Sequence, residues 1–364
     1  MHFRNPSVPR TDFNFTVNGN SMDCVNCYQY LGLLLTEFLD YQLMAKAVAK
    51  SASRALGLLI VKSKIHGGFQ HNIFSKLYDT MVWSVINYGY YIWGTRDFSC
   101  INAVQNRAMR FFMGVGKYTP NDAIAGDMGW KPAYIRQWSN VFRHWARCSI
   151  MEHDRINFKV FKRSIKKANG RIKNWSYRIC EMLQAQSLEA YCNFENNIIT
   201  KHTILQTEQV MFDKYKLDWK NRVSAYSQGN KLRTYKLFKH DFCTEPYLEY
   251  KIPLKYRSAY AKFRCGVAPL RIETGRYKRK AVHERTCLYC TNCVEDEFHV
   301  LMQCPLYADL RQKMSSDVLH FNVNFSFLSD ADKFVFLFSN ENVFNIVAKT
   351  CYNILIRRNS FLYH

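Results

Sequence analysis

The spacing of apolar side chains predicts a chain built mostly from helices. From Tyr41 onward, apolar residues recur every three or four positions, which is the period of an amphipathic helix. Stripes of this kind cover residues 41–66, 72–93, 101–112, 134–151, 175–191, 204–226, 257–265, 307–314, 331–338 and 343–356. The predicted fold class is therefore mainly α.

The first residues have the two-residue period of short strands instead. Apolar and polar side chains alternate over 13–17, and Asn18 followed by Gly19 is typical of a hairpin turn. Residues 28–35 are predicted to form another strand. We expect four consecutive segments: a small β portion over 1–40, a helical bundle over 41–150, a basic helical connector over 151–250 and a small terminal unit over 251–364.

The terminal unit carries four side chains that favour a metal ion, and they fall within eighteen residues: Cys287, Cys290, His299 and Cys304. Zn²⁺ is held tetrahedrally by thiolate and imidazole groups, and a two-residue gap between cysteines lets both sulfurs reach one ion from a tight turn. Because protein would fill all four coordination positions, the predicted zinc site is structural and leaves no open position for catalysis.

Two alternatives to this ligand set stay open at the level of sequence. Cys293 could replace Cys287, because Cys290, Cys293, His299 and Cys304 have nearly the spacing of a retroviral-type zinc knuckle. The cysteines could also form disulfides or stand as unconnected buried thiols. An odd total of 13 cysteines over 364 residues, with no recognisable secretory leader, argues against a disulfide framework.

The chain is strongly basic, with 51 Lys and Arg against 29 Asp and Glu and a net charge of +22. An excess of this size points to a polyanionic partner such as RNA or DNA. Residues 155–180 hold nine cations and no acidic residue, and on a helix several of them would lie opposite Phe158, Phe161 and Ile165. The predicted phosphate contacts of this first basic tract are Lys159, Lys162, Arg163, Lys166, Lys167, Arg171 and Lys173.

A second basic tract precedes the metal motif, and Phe263 and Tyr277 are interleaved with its cations, which are Lys262, Arg264, Arg271, Arg276, Lys278, Arg279, Lys280 and Arg285. Aromatic rings can stack on unpaired bases while cations follow the backbone, so this combination favours single-stranded or looped RNA. An ordinary exposed charged surface is the alternative for both tracts. The predicted phosphate contacts of the second tract are Arg271, Arg276, Lys278, Arg279 and Lys280.

Several other functions find no support in the sequence. No apolar run is long enough to span a bilayer, and no Gly-rich phosphate loop or nucleophile elbow occurs. Asp330 and Asp332 have a spacing that could hold Mg²⁺, but they precede an amphipathic stripe and are interpreted as helix-capping residues. We expect an intracellular protein of the nucleus or the cytoplasm, without membrane attachment and without independent catalysis.

Six segments stand in an order that is typical of one family. The segments are Phe3-Arg4-Asn5-Pro6, Tyr28-Gln29-Tyr30-Leu31-Gly32, Asn87-Tyr88-Gly89 with Trp93-Gly94, Ile101-Asn102-Ala103-Val104-Gln105-Asn106-Arg107-Ala108, Gly126-Asp127-Met128-Gly129-Trp130, and Val294-Glu295-Asp296-Glu297-Phe298-His299 through Cys304-Pro305-Leu306-Tyr307. With these segments in this order, the chain resembles, over nearly its whole length, the carboxy-terminal part of a reverse transcriptase of a non-LTR (LINE-type) retrotransposon.

The resemblance implies a division of labour along the chain. Tyr30, Leu31 and Gly32 match a Tyr-Leu-Gly motif near the primer-gripping part of the palm, and a thumb-like bundle that holds the template and primer duplex follows. The basic connector and a Cys-Cys-His-Cys zinc element come last and help to hold RNA or target DNA. The four predicted zinc ligands match that element.

The family's acidic catalytic signature, an aromatic residue followed by Ala-Asp-Asp, is absent from these residues. The resemblance therefore implies a catalytically incomplete fragment that binds RNA or primer-template nucleic acid as part of a ribonucleoprotein. Mg²⁺ would be needed only together with a catalytic palm. The alternatives are a truncated gene model of an active RNA-directed DNA polymerase and a domesticated protein-interaction module.

Overall fold

The computed structural model describes residues 1–192, 199–225, 230–290 and 292–363. These residues are mostly helical, with two small antiparallel sheets near the amino terminus, which confirms the predicted fold class. In the same ranges, no helix is both long and apolar enough to cross a membrane.

The α-helices of the amino-terminal half follow the predicted stripes with one exception, and the helix over 121–128 had no predicted stripe. They are α1 Gln42–Ile65, α2 His71–Leu77, α3 Ser84–Ile86, α4 Tyr90–Trp93, α5 Ser99–Met113, α6 Asn121–Met128, α7 Ala133–Ser149, α8 Ile156–Asn169 and α9 Trp175–Ala185. The exception is the single helix predicted over 72–93, which is wrong. A π-helical stretch, Tyr78–Trp83, and a turn at Gly89 with a φ of 59° divide it into α2, α3 and α4.

The α-helices of the carboxy-terminal half are α10 Lys201–Ser224, α11 Tyr235–Phe238, α12 Pro246–Glu249, α13 Leu254–Arg264, α14 Arg271–Tyr277, α15 Ala308–Leu319, α16 Asp330–Ser339 and α17 Phe344–Tyr363. A second π-helical stretch, His299–Gln303, lies between α14 and α15. At the start of α16, the Ser329 hydroxyl accepts the N–H of Asp332 at 3.2 Å. The capping residue is thus Ser329, and Asp330 and Asp332, which the sequence indicated as capping residues, lie in the first turn of α16.

The first hairpin forms as its turn residues predict. Strand β1, Thr16–Val17, pairs with β2, Asn20–Ser21, in antiparallel register. Asn18 and Gly19 between them have φ values of 53° and 79°. Positive φ at both central residues is what a tight hairpin turn requires, and Asn followed by Gly adopts it readily.

The second hairpin has the Tyr-Leu-Gly segment at its tip. Strand β3, Cys27–Tyr30, pairs with β4, Leu33–Thr36. The prediction of one strand over 28–35 is wrong, because Leu31 and Gly32 have φ values of 47° and 79° and reverse the chain. Leu31 is 74% exposed as a result, so its side chain contributes little to any core.

The tip of this hairpin contacts another of the six segments. The Tyr88 hydroxyl donates to the Leu31 carbonyl at 2.7 Å, and a Cβ on Gly32 would lie 3.1 Å from the Tyr88 ring. A Cβ on Gly89 would lie 2.6 Å from the side chain of Leu33. Glycine at both positions therefore allows the Tyr-Leu-Gly and Asn-Tyr-Gly segments to pack together.

The chain forms two compact units. The first unit consists of Met1–Leu59, Tyr78–Gln105 and Lys131–Asp213, and the second of Ile60–Leu77, Asn106–Trp130 and Lys214–His364. Each unit draws on three separate parts of the sequence. The division into four consecutive segments made above stays a prediction.

The first unit is organised around α7, which packs against α4 and α8. Trp145 and Phe142 on its apolar face are buried, and the Trp145 ring lies 4.9 Å from that of Phe161 in α8. Gln105 of α5 is a buried polar residue, and its Nε2 donates to the Lys131 carbonyl at 2.9 Å. That hydrogen bond satisfies the amide nitrogen and makes burial of this polar side chain less costly.

A buried ion pair lies at the centre of the second unit. Asp127 of α6 and Arg264 of α13 are both inaccessible to solvent. Arg264 Nε and Nη2 lie 3.1 and 3.2 Å from the two carboxylate oxygens of Asp127. Its Nη1 donates to the Phe338 carbonyl at 2.7 Å, and Nη2 also lies 2.9 Å from a carboxylate oxygen of Glu245. The guanidinium thus has a partner at each nitrogen, which a buried charge needs.

Two tyrosines complete the surroundings of the Asp127 carboxylate. The hydroxyls of Tyr235 and Tyr247 donate to its two oxygens at 2.8 and 2.9 Å. Burial raises the pKa of Asp127, but the nearby charges of Arg264 and Lys239 and these hydrogen bonds outweigh that effect, so its pKa is lowered. Asp127 is therefore ionised and accepts hydrogen bonds from Arg264, Tyr235 and Tyr247.

Two glycines beside Asp127 allow close packing. A Cβ on Gly126 would lie 2.5 Å from the ring of Trp219. Gly129 has a φ of 64°, and a Cβ there would lie 2.4 Å from the backbone nitrogen of Thr244. The Gly-Asp-Met-Gly segment thus combines one buried charge with two positions that have no room for a side chain.

Replacing Asp127 with alanine should lower the free energy of unfolding by about 3–5 kcal/mol, because Arg264 would be left buried without its main counterion. Urea denaturation followed by circular dichroism measures this change. Asp309, which forms an exposed pair with Arg357, is the matched control, and Asp309→Ala should change stability little. Equal losses in the two variants would contradict a special role for the buried pair.

The same carboxylate should make stability depend on pH in a defined direction. Its pKa in the folded protein is lowered, so its stabilising effect is complete above the unfolded-state pKa of about 3.9 and is lost as the pH falls through the folded-state pKa. The stability difference between the wild type and Asp127→Asn should be constant between about pH 5 and pH 7 and should shrink only in stronger acid. A difference that grows on acidification would contradict this sign.

Candidate metal centre and basic surfaces

A small closed loop of the second unit holds the first two predicted ligands. Thr286 and Val294 form an antiparallel bridge, and the N–H of Cys287 donates to the carbonyl of Cys293 at 2.7 Å. Cys290 lies within the loop that these contacts close. Cys293 itself is exposed, and the contact that it makes here is through its backbone.

His299 and Cys304 are placed by the π-helical stretch that follows. The Asp296 carboxylate accepts the N–H of His299 at 2.8 Å and caps the start of this stretch. The N–H of Cys304 donates to the His299 carbonyl at 2.8 Å, and Arg311 Nη2 donates to the Cys304 carbonyl at 3.1 Å. The backbone at both ligands is thereby fixed.

The four side chains bring their ligand atoms together. The sulfur of Cys304 lies 3.9 Å from that of Cys287 and 3.7 Å from that of Cys290. All four ligand atoms, including a ring nitrogen of His299, lie within 4.8 Å of one another. Sulfurs that share one tetrahedral Zn²⁺ at about 2.3 Å are roughly 3.8 Å apart, whereas disulfide sulfurs are about 2.05 Å apart. These sulfur distances fit a shared ion and not a disulfide.

The imidazole of His299 provides an independent indication of a ligand. The residue is only 4% exposed, and neither of its ring nitrogens has a hydrogen-bond partner among the described residues. Buried polar atoms nearly always have a partner, and a histidine ring has two nitrogens to satisfy. A metal ion bound by the three sulfurs would occupy one of these nitrogens. The cluster can therefore hold a metal ion.

The metal-free thiols should bind a cation with release of protons. Burial raises the pKa of Cys304 to about 12 and also raises the pKa of Cys290. The metal ligand is the thiolate, so a bound cation has to displace the proton. Loading of this site should therefore become weaker as the pH falls.

The acidic residues of the motif anchor the loop to distant parts of the second unit. Glu295 and Arg358 of α17 form a buried two-bond ion pair with both distances 2.7 Å, and Glu295 also accepts the N–H of Arg271 at 2.7 Å. Glu297 is buried and pairs with Arg233. Arg358 and Arg233 lie more than sixty positions from Glu295 and Glu297 in the sequence, and no spacing rule indicates them.

The first basic tract forms the exposed face of α8 and the turn after it. Phe158, Phe161 and Ile165 are buried, as the helical stripe predicted. The cations of the tract are exposed. Within the described ranges, the following six have no acidic partner: Lys159, Arg163, Lys166, Lys167, Arg171 and Lys173. We call this surface the α8 basic face.

The second basic tract is divided between structural and exposed positions. Arg271 and Arg276 are half-buried, and Arg276 Nε lies 3.0 Å from a carboxylate oxygen of Glu273. Lys278, Arg279 and Lys280 are exposed.

Of the two aromatic residues expected in this tract, one is accessible. Phe263 is only 1% exposed, so the expectation that it stacks on bases is wrong, because its helix turns it into the core. Tyr277 is 64% exposed, and its ring lies 6.2 Å from that of Tyr118, which is also exposed.

The third set of predicted site residues lies at a hairpin tip. Tyr30 is 58% exposed, Leu31 is 74% exposed, and Gly32 supplies the positive φ of the turn. The geometry does not test the primer-grip role, which stays a prediction.

Comparison with known proteins adds no further identification. No family model, curated protein or solved structure matches this chain. The function is therefore argued from the residues and contacts described above.

Replacing His299 with alanine and Cys304 with serine together should abolish metal binding, because two of the four donors are lost. The wild type should hold one equivalent of Zn²⁺ after reconstitution and desalting, measured by mass spectrometry of the metal. Cys293→Ser is the matched control, since this exposed cysteine lies outside the cluster. Full zinc content in the double variant, or its loss in the control, would show that the ligand set is wrong.

Proposed function

We propose that this protein binds RNA, or nucleic acid with a primer junction, through the α8 basic face. The observation that carries the proposal is the set of six exposed cations without acidic partners in the described ranges. Their helix is fixed by its opposite side, where Phe158, Phe161 and Ile165 are buried. The cations are thus held on one surface, and a phosphate backbone is the partner that such a surface favours.

The net charge of +22 supports the same partner class. An ordinary solvated surface carries cations and anions interspersed, whereas this face has no acidic member between Lys159 and Lys173. Exposed Tyr277, followed by Lys278, Arg279 and Lys280, gives the second unit its own aromatic and cationic surface. Aromatic stacking combined with cations favours unpaired nucleotides over duplex.

We further propose that the cluster of Cys287, Cys290, His299 and Cys304 holds a structural Zn²⁺. Three thiolates and one imidazole form a donor set that suits this ion. All four positions would be filled by protein, so the ion would stabilise its loop and would not activate water. The buried Glu295 and Glu297 pairs would then connect a rigid loop to α17 and to the segment before α11.

The family proposal rests on the ordered segments of the sequence. We propose that the chain is the carboxy-terminal part of a non-LTR retrotransposon reverse transcriptase, without the acidic catalytic motifs in these residues. The Tyr-Leu-Gly segment packs on the Asn-Tyr-Gly segment. This contact supports the proposal that both motifs come from the same family fold. Sequencing the transcript upstream of Met1 tests this proposal: an in-frame aromatic-Ala-Asp-Asp motif would support it and would indicate an active polymerase.

RNA binding should weaken steeply with salt, and a triple substitution on the α8 basic face should reduce the steepness. Lys159→Ala, Arg163→Ala and Lys166→Ala remove three phosphate contacts, each worth about 0.7 in the slope of log affinity against log salt for single strands. We expect the slope to fall by about 2. The measurement is fluorescence anisotropy with a labelled single-stranded RNA between 50 and 300 mM salt, a range over which the Debye length falls from about 13 to about 6 Å.

The matched control removes the same number of exposed charges elsewhere, at Lys50, Lys313 and Lys349. Its slope should stay close to that of the wild type. If both triple variants lose affinity equally, net charge and not the α8 basic face is responsible. If the wild type binds RNA with no salt dependence, or does not bind it, the proposed function is wrong.

A further inference from the structure

Two cavities of the first unit share one wall. One has a volume of about 390 Å³ and the other of about 380 Å³, and Tyr41, Ile92 and Trp175 line both. The two cavities are therefore adjacent, and we call them together the Trp175 groove. Each half falls in the lower part of the roughly 300–1,000 Å³ range that is typical of small-molecule sites.

One end of the groove is aromatic. Tyr91 and His144 line it together with Trp175. The Tyr91 and His144 rings are 4.5 Å apart, and Trp175 meets His144 at 5.8 Å with the planes inclined by 73°. The Trp175 indole donates to the Tyr91 carbonyl at 2.9 Å, which fixes the orientation of its ring. Rings held at such angles offer π-faces to a flat, unsaturated ligand.

The other end of the groove is cationic. Arg96, Lys173 and Arg178 line it, and so does Asn174, the N-cap residue of α9. The N-terminus of α9 adds the positive end of a helix dipole. Glu181 is 3.7 Å from Arg178, but this pair is partly exposed and weak. The local charge therefore favours an anion.

We infer that the Trp175 groove binds one unpaired nucleotide, with the base against Trp175 and Tyr91 and the phosphate at Arg96, Lys173 and Arg178. A nucleotide consists of a flat base and an anionic phosphate joined by one sugar, so its base matches the aromatic end of the groove and its phosphate matches the cationic end. A methylated lysine or another cation also fits aromatic walls, but the three cations at the far end would repel it. The inference deepens the proposed function and rests on it.

The position of the groove favours a nucleotide that belongs to a strand. Asn157, Val160 and Ser164 of α8 line the aromatic end, and four of the six cations of the α8 basic face lie on the same helix. Lys173 belongs both to that face and to the cationic end of the groove. A strand whose phosphates follow the basic face could thus insert one base beside Trp175. A free mononucleotide has the same chemistry and is the other source to be tested.

Two probes separate these sources: a labelled single-stranded RNA of twelve nucleotides containing 5-iodouridine, and free AMP and UMP. Ultraviolet crosslinking of the RNA to the wild-type protein should attach uridine to Trp175 or Tyr91, as located by peptide mass spectrometry. This readout needs no substitution, so it does not depend on the folding of a variant. Saturable mononucleotide binding that Tyr91→Ala reduces would instead support the groove as a site for free nucleotides.

Substitutions test the same groove by affinity. Tyr91→Ala, and separately Lys173→Ala with Arg178→Ala, should each weaken RNA binding about tenfold, since loss of one stacked base or of two phosphate contacts has this order of effect. Tyr28→Ala is the matched control, because Tyr28 is also an exposed tyrosine of the first unit but lies outside the groove.

The outcomes distinguish the inference from the proposed function. If RNA binds with salt dependence but crosslinks elsewhere, and the Tyr91 and Lys173 variants bind like the Tyr28 control, the inference is overturned and the proposed function stands. If neither RNA nor a mononucleotide binds, both are overturned. Crosslinks at Trp175 or Tyr91, together with a loss of RNA affinity in the groove variants but not in Tyr28→Ala, support both the inference and the proposed function.

Discussion

The buried ion pair between Asp127 and Arg264 is the interaction on which the second unit depends. It connects α6 with α13, and Arg264 also binds the Phe338 carbonyl in α16. Elements 137 and 74 positions apart in the sequence are thus held by one guanidinium. Apolar side chains can pack in several arrangements, whereas a buried charge without its partner lowers the stability of the fold by several kcal/mol. This pair therefore specifies one arrangement of helices. The buried ion pair between Glu295 and Arg358 fixes the loop of Cys287 and Cys290 against α17 in the same way.

This use of arginine separates the structural cations of the protein from those available to a ligand. In the second unit, Arg264 and Arg358 are buried and each makes several directed hydrogen bonds, which suits a planar guanidinium with five donors. On the α8 basic face, most of the cations are lysines, whose strongly hydrated ammonium groups favour solvent. A high net charge alone would not distinguish the two groups. Burial and pairing do, and they leave exposed cations such as Lys159 and Lys166 as the proposed phosphate contacts.

Local patterns in the sequence predicted local structure well and distant contacts poorly. Helical periodicity identified α8 and its buried side, because that pattern depends only on residues three and four positions apart. Ligand spacing likewise anticipated the metal cluster, since Cys287 and Cys290 share one loop. The second hairpin was missed because its turn uses Leu31 at a positive φ, which an apolar residue seldom adopts. The partner of Asp127 has no local signal at all, because burial of both charges follows from tertiary packing.

The segments that carry the family resemblance have structural roles that do not depend on catalysis. Gly89 leaves room for the side chain of Leu33, Asp127 binds Arg264, and Glu295 anchors the loop of Cys287 and Cys290 to Arg358. Each of these three residues therefore determines how helices or loops pack. A resemblance built on such residues bears on the fold first. Function has to be argued from what the fold leaves exposed, and in the first unit that is a cationic helix face beside an aromatic groove. Both features favour a single strand, because a duplex would present phosphates to α8 but could not extend a base toward Trp175.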